Sequence, residues 1–207
     1  YHFIHIPKNG GNSVRVALKR RKDVSLSRPY HYRYIDIAPK VGPHLQFFCI
    51  IRNPWSRTAS RYLFGKQNSH KWPDDDPRKI FIEKASFADF VRERRVFEIP
   101  EHPGQPWMGP LNSWFNQLDW IRNDQGVVVC DCLRFELLGN DINMYLGQSI
   151  DMPHRNPTNQ KYDYRNMYTD DLAEIVSEVF SEDIEYFDFD FEGSAKRGIA
   201  VSAKSSE

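Results

Sequence analysis

Two groups of residues in this chain have the types and spacing to hold a phosphate. Residues 3–13 read FIHIPKNGGNS. Phe3, Ile4, His5 and Ile6 have strand character, Pro7, Lys8, Asn9, Gly10 and Gly11 make a turn, and a helical pattern opens at Asn12 and Ser13. A strand, a glycine turn and a helix start form an anion cradle. Glycines admit close backbone approach, the helix N-terminus offers unpaired N–H groups, and the lysine adds a full charge. Gly10, Gly11, Asn12 and Ser13 would supply amides, and Ser13 also a hydroxyl. The triphosphate loop G-x-x-x-x-G-K-[ST] carries its lysine after the last glycine. Lys8 stands before the glycines, which points away from ATP. In the second group, Arg52 and Ser60 flank Pro54 with seven residues between them. A guanidinium fork and a hydroxyl suit a phosphate monoester. Taken alone, the glycines also fit an ordinary tight turn, Arg52 a surface ion pair, and Ser60 a hydroxyl bonded to its own helix.

Particular elements must position these groups. Residues 45–51 (LQFFCII) form a continuous apolar run, expected as a buried parallel strand ending at Arg52. Pro54 fits the first position of a following helix, which carries Arg57, Ser60 and Arg61 at i, i+3 and i+4. Arg57 and Arg61 also read as that helix's wet face. A helix is expected over 13–21, a buried strand over 127–131, a short helix over 141–146, and a helix capped by Thr169. Strands alternating with helices predict an α/β fold, a central parallel sheet with right-handed crossovers. Ligands then sit beyond the carboxyl ends of the strands.

In this order the motifs resemble those of sulfotransferases that use 3′-phosphoadenosine-5′-phosphosulfate (PAPS). The likeness is to the carbohydrate branch, with the heparan sulfate 2-O-sulfotransferases and bacterial relatives. It extends through LRFE at 133–136 and through 153–191, where a Pro-His-x-Asn loop and an EDIEYFDFDF ending follow. It leaves 66–110 unmatched. The resemblance implies a P-loop-NTPase-like three-layer fold over 1–192. It implies that Lys8 and the loop from Asn9 to Ser13 hold the 5′-phosphosulfate, and that Arg52 and Ser60 hold the 3′-phosphate. Arg155 and Lys161 would cover the nucleotide. Relatives carry a base histidine between the two motifs, which here is His31, with His44 the second candidate; an ordinary pKa near 6.5 suits that task. The implied acceptor is a carbohydrate or other hydroxyl, and the implied chemistry needs no metal. A nucleotide-dependent phosphotransferase and a non-catalytic nucleotide- or glycan-binding module on the same fold are the rival readings.

Composition bounds the rest. The chain has 207 residues, with 28 basic and 28 acidic side chains, so no global field points to nucleic acid or a membrane. No apolar run approaches the ~20 residues of a membrane helix. Cys49, Cys130 and Cys132 are an odd, sparse set that reads as buried, reduced thiols. A cytoplasmic protein of bacterial or viral origin is expected, with room for an anchor or signal upstream of Tyr1. Residues 66–110 read as an acceptor-side lid or as a surface excursion, with Trp72, Trp107 and Trp114 as sugar-stacking or core residues. Residues 193–207 read as a loose tail.

Overall fold

A computed structural model describes residues 1–26, 31–42, 44–99, 102, 104–152 and 163–201. Four short strands, β1 (His2–Ile4), β2 (Ser25–Leu26), β3 (Phe47–Ile51) and β4 (Asp131–Arg134), form one parallel sheet in the order β2-β1-β3-β4. Its register sets Phe3 beside Phe48 and Cys49 beside Cys132. Every residue of β3 is buried, which is why FFCII carries no polar alternation.

Alternation along the strands divides the core in two. Phe3, Phe48, Ile50 and Leu133 pack with Val14 and Leu18 of α1 (Gly11–Leu18) and with Ile142 and Leu146 of α6 (Leu138–Leu146). Ile4, Cys49, Ile51 and Cys132 belong to the other, larger cluster. There they join α2 (Tyr34–Val41), α3 (Pro54–Asn68), α4 (Pro77–Lys84), α5 (Phe87–Glu93), α7 (Asp170–Val179) and α8 (Ser181–Phe187). Helices therefore cover both faces of a small parallel sheet, the α/β layering expected. No helix among the described residues is long and apolar enough to cross a membrane.

The strand order makes a switch point. The chain leaves β1 through α1 to β2 on one side, then returns through α2 to β3 on the other. The loops after β1 and β3 therefore diverge from adjacent strand ends, and such a crevice is where open α/β sheets place ligands.

Several boundaries differ from expectation. The first helix starts at Gly11 and ends at Leu18, because Gly10 takes a left-handed conformation (φ 76°) and sets its N-cap. The strand expected over 127–131 begins only at Asp131. Asn123 Oδ1 accepts from Gln125 N and Val127 N, and Gly126 turns with φ 77°. That turn folds Val128 back onto Arg122 and leaves Val127 54% exposed. Within 66–110, Phe81, Ile82, Phe87, Phe90 and Val91 enter the core, so this part of the stretch is more than a surface excursion. The stretch 193–201, expected as loose tail, is tied down. Ala195 and Val201 are buried, and Ala200 N donates to Cys132 O at 3.0 Å.

Candidate active site

The turn after β1 is held by its neighbours. Lys8 has φ 69°, a left-handed backbone that an ordinary side chain adopts at a cost of about 1–2 kcal/mol. That conformation presents Lys8 O to Arg52 Nη1 at 3.0 Å. Asn9 is buried, and its Nδ2 donates to Ile50 O (2.7 Å) and Gln117 Oε1 (2.6 Å). Its side chain thus ties the turn to β3. A Cβ on Gly10 would lie 2.9 Å from the Phe135 ring, and one on Gly11 2.0 Å from the His5 ring. Both glycines are there for close approach. Asn12 is exposed. Ser13 N donates to Gly10 O (3.0 Å), so that amide closes the turn instead of facing a ligand as expected. Val14 N donates to the same carbonyl at 3.3 Å, and the amides of Gly11 and Asn12 stand at helix positions that have no intrahelical carbonyl to meet.

The loop after β3 meets this turn directly. Asn53 caps α3, its Oδ1 accepting from Trp55 N and Ser56 N at 3.1 Å each, with Pro54 at the first helical position. Arg52 Nε and Nη2 donate to Ser56 Oγ (3.0 and 2.8 Å), and its guanidinium lies 4.1 Å over the Phe135 ring. Ser56, not Ser60, is the hydroxyl on Arg52. Ser60 is buried one helical turn further along the same face.

Arg57 and Arg61 are not the wet face of α3; they are 1% and 0% exposed. Arg57 donates from Nε to Pro7 O (3.3 Å) and from Nη1 to Phe115 O (3.2 Å), leaving Nη2 without a partner. Arg61 donates to Pro110 O and Leu111 O, stacks 4.0 Å from the Trp114 ring, and leaves Nη1 without a partner. Lys8 Nζ lies 4.2 Å over the Phe64 ring. Burial, then Arg52 and Arg61, pull the Lys8 ammonium down to about 7. Burial lowers Arg57 to about 10 and Arg61 well below its ordinary value. Among the described residues, Lys8, Arg57 and Arg61 make no ion pair.

A buried carboxylate, Asp183, lies beside Arg57. Asp183 Oδ2 accepts from Gln117 N (2.7 Å) and Gln117 Nε2 (3.1 Å), and Oδ1 from Leu118 N (3.0 Å). Burial raises it to about 6, against the pull of those bonds and of Arg57. Gln117 also accepts from Arg52 N (2.8 Å) and donates to Arg52 O (2.9 Å). Gln117 therefore joins both loops to α8.

His31 Nδ1 is 2.9 Å from His5 O. A carbonyl only accepts, so Nδ1 carries the proton and Nε2 keeps its lone pair. Burial is the main cause that lowers the His31 pKa; nearby Arg15, His102 and Lys8 add to it, and the His5 bond opposes it. That balance favours the neutral ring. The His5 ring lies 4.4 Å away, centre to centre. His44 is exposed and precedes the amino end of β3, across the sheet from Arg52. That position removes it as a base for this site.

Comparisons with family models, curated proteins and solved structures find no match to this chain. Its chemistry must be argued from its own residues. Lys8, the glycine turn and Arg52 are brought together, while Arg155, Lys161 and the 153–162 loop lie outside the described residues. In LRFE, Arg134 is structural: Nε and Nη2 each reach the Asp141 carboxylate at 2.8 Å. Glu136 accepts from Asn53 N at 2.9 Å. Ser56, Gln117, Phe135 and Asp183 had no role at the level of sequence. An apolar-flanked Asn-Gln pair at 116–117 was the faint signal for Gln117.

Proposed function

We propose that this chain is a sulfotransferase moving a sulfuryl group from PAPS to an acceptor hydroxyl, on a P-loop-like variant of the α/β fold. The observation that carries this is the buried charge. Lys8, Arg52, Arg57 and Arg61 gather where the β1 and β3 loops diverge; among the described residues Asp183 and Asp119 act on Arg57 and Glu136 on Arg52, while Lys8, Arg57 and Arg61 make no ion pair. An uncompensated buried ion costs several kcal/mol, so such a cluster calls for a multiply charged anion. Two orphaned guanidinium nitrogens, Arg57 Nη2 and Arg61 Nη1, agree with that. A nucleotide with phosphates at both ends of its ribose fits a site in which a glycine turn and an arginine lie one hydrogen bond apart.

In this reading Lys8 and the α1 amides hold the 5′-phosphosulfate, and Arg52, backed by Ser56 and Ser60, meets the 3′-phosphate. The acceptor oxygen attacks sulfur in line with the departing bridging oxygen. The S–O bond to the 5′-phosphate breaks, its electron pair stays on the phosphate, and the acceptor proton passes to His31 Nε2. Lys8 stabilises the charge that builds on the leaving oxygen. The products are a sulfate ester and 3′-phosphoadenosine-5′-phosphate.

The test is calorimetric titration with 3′-phosphoadenosine-5′-phosphate and with ATP·Mg²⁺, followed by transfer of labelled sulfate to a saccharide panel. Binding of the first in preference to ATP is expected. Arg52→Ala should weaken it at least tenfold more than it weakens adenosine 5′-phosphate. Preference for ATP·Mg²⁺, or equal losses for the two adenosine ligands, would remove this function. Tight binding without transfer to any acceptor would leave a nucleotide-binding module.

A further inference from the structure

A concavity lies one side chain away from the cationic cluster. It has a volume of about 460 Å³, within the range of small-ligand clefts, and Arg33, Trp107, Phe115, Asp119, Arg122 and Asp124 line it. Arg57 joins the two sites: its Nε holds Pro7 O of the lysine turn, and its Nη1 holds Phe115 O of the cleft wall. His31 stands two residues before Arg33, with its ring edge-on to Trp120, the neighbour of Asp119.

The lining is apolar walls with a few polar groups. Trp107 and Phe115 supply ring surface, and the Arg33 guanidinium lies 4.2 Å over the Trp107 ring and fixes it. The charges are unequal in effect. Arg33 is paired with Asp36, and Arg122 with Glu182. Asp119 and Asp124 form no ion pair among the described residues. Arg33 and Arg122 also act on Asp119, but with Asp36 and Glu182 counted the carboxylates around the cleft outnumber the two guanidiniums. Carboxylates accept hydroxyl hydrogens and repel anions.

We infer that this cleft is the acceptor subsite and takes a saccharide bearing no carboxylate or sulfate group. Ring surface meets the C–H faces of a sugar, while Asp119 and Asp124 accept its hydroxyls. A uronate-bearing or already sulfated polymer is turned away by the same carboxylates. This inference rests on the sulfotransferase reading for its catalytic sense, but not for its binding sense.

The experiment compares lactose with an unsulfated glucuronate-containing disaccharide of equal size. Saturation-transfer NMR reads binding without donor, and labelled sulfate transfer reads use. Lactose should give the stronger NMR contact and the higher kcat/KM. Trp107→Ala should cut both at least tenfold, with affinity for 3′-phosphoadenosine-5′-phosphate held within twofold. Asp124→Lys alters an exposed side chain and does not threaten folding; it should move preference at least fivefold toward the acidic disaccharide. Preference of the unaltered protein for the acidic disaccharide overturns the inference, as does contact with neither sugar or an unchanged preference in Asp124→Lys. Should the nucleotide fail to bind while lactose contact survives and is lost in Trp107→Ala, the cleft assignment stands and the donor reading falls.

Discussion

Lys8 carries the sharpest residue-scale consequence. Its ammonium titrates near 7 because it is buried beside Arg52 and Arg61. An anion arriving at Lys8 reverses that imbalance and raises the pKa. Binding then takes up a proton wherever free Lys8 is deprotonated and bound Lys8 is not. The sign follows: the lysine's contribution to affinity is fully present below about pH 7 and is lost as pH rises beyond it, by up to about tenfold per unit. Calorimetry of 3′-phosphoadenosine-5′-phosphate binding in buffers of different ionisation enthalpy should show uptake approaching one proton at pH 8.5. Lys8→Ala should abolish that uptake and lower turnover about 10²–10³-fold, the usual loss when one transition-state donor is removed. The same uptake in Lys8→Ala would assign the proton elsewhere. Gly11 makes a separate case. A methyl there would sit 2.0 Å from the His5 ring, whose own carbonyl orients His31. Gly11→Ala should cost about 1–3 kcal/mol by overpacking. It should also depress kcat, because His31 loses its fixed tautomer. Unchanged melting and turnover would mean that His5 can move without consequence.

At the scale of elements, the two loops keep their spacing through one amide. Gln117 binds Asn9 of the β1 loop, both backbone polar groups of Arg52 at the end of β3, and Asp183 of α8. Gln117→Leu keeps the bulk and strands these partners. Each buried polar group left unmet costs about 1–3 kcal/mol, so a net loss near 3 kcal/mol is expected, lowering Tm by about 6–12 °C for a domain of this size. In protein still folded at low temperature, nucleotide affinity should also fall at least tenfold. If affinity survives the loss of stability, Gln117 holds the core and not the spacing of the loops. This amide also marks how far sequence could reach. The strand, glycine turn and helix at 3–13 are local patterns, as is the Asn53-Pro54 cap after an unbroken apolar strand, and both were legible. The sheet's parallel character followed from FFCII. Nothing local joined residue 117 to residues 9, 52 and 183, since those contacts span 65 residues or more. The same holds for Arg57 and Arg61. Their i, i+4 spacing is that of any amphipathic helix, and distant segments bury them, the β1 loop over Arg57 and residues 110–115 over both. Ser60 stands at the seven-residue interval of the resemblance and Ser56 has no such mark, yet Arg52 takes the hydroxyl one turn nearer.

For the molecule as a whole, the balance of charge and its placement pull apart. Basic and acidic residues are equal in number, so little field extends into solvent. The imbalance is internal, at the carboxyl edge of the sheet, where solvent screening is weak. The fold therefore carries a standing electrostatic cost that a polyanion relieves, and stability should depend on ligand charge more than on ligand size. At about a hundred times its Kd, 3′-phosphoadenosine-5′-phosphate should stabilise the protein by about 2.7 kcal/mol, raising Tm by roughly 5–10 °C. Adenosine 5′-phosphate at the same concentration should give less, and adenosine almost nothing. Because the cluster is buried, added sodium chloride should reduce the shift only modestly, unlike a surface patch, whose effect fades within a Debye length of about 8 Å near physiological salt. Asp183→Asn removes a fully buried counter-charge beside Arg57. It should lower the melting point of the free protein yet enlarge the shift produced by the doubly phosphorylated nucleotide. Equal shifts with adenosine and with its bisphosphate would show that the four cations are already satisfied within the fold, and the case for an anionic co-substrate would go with them.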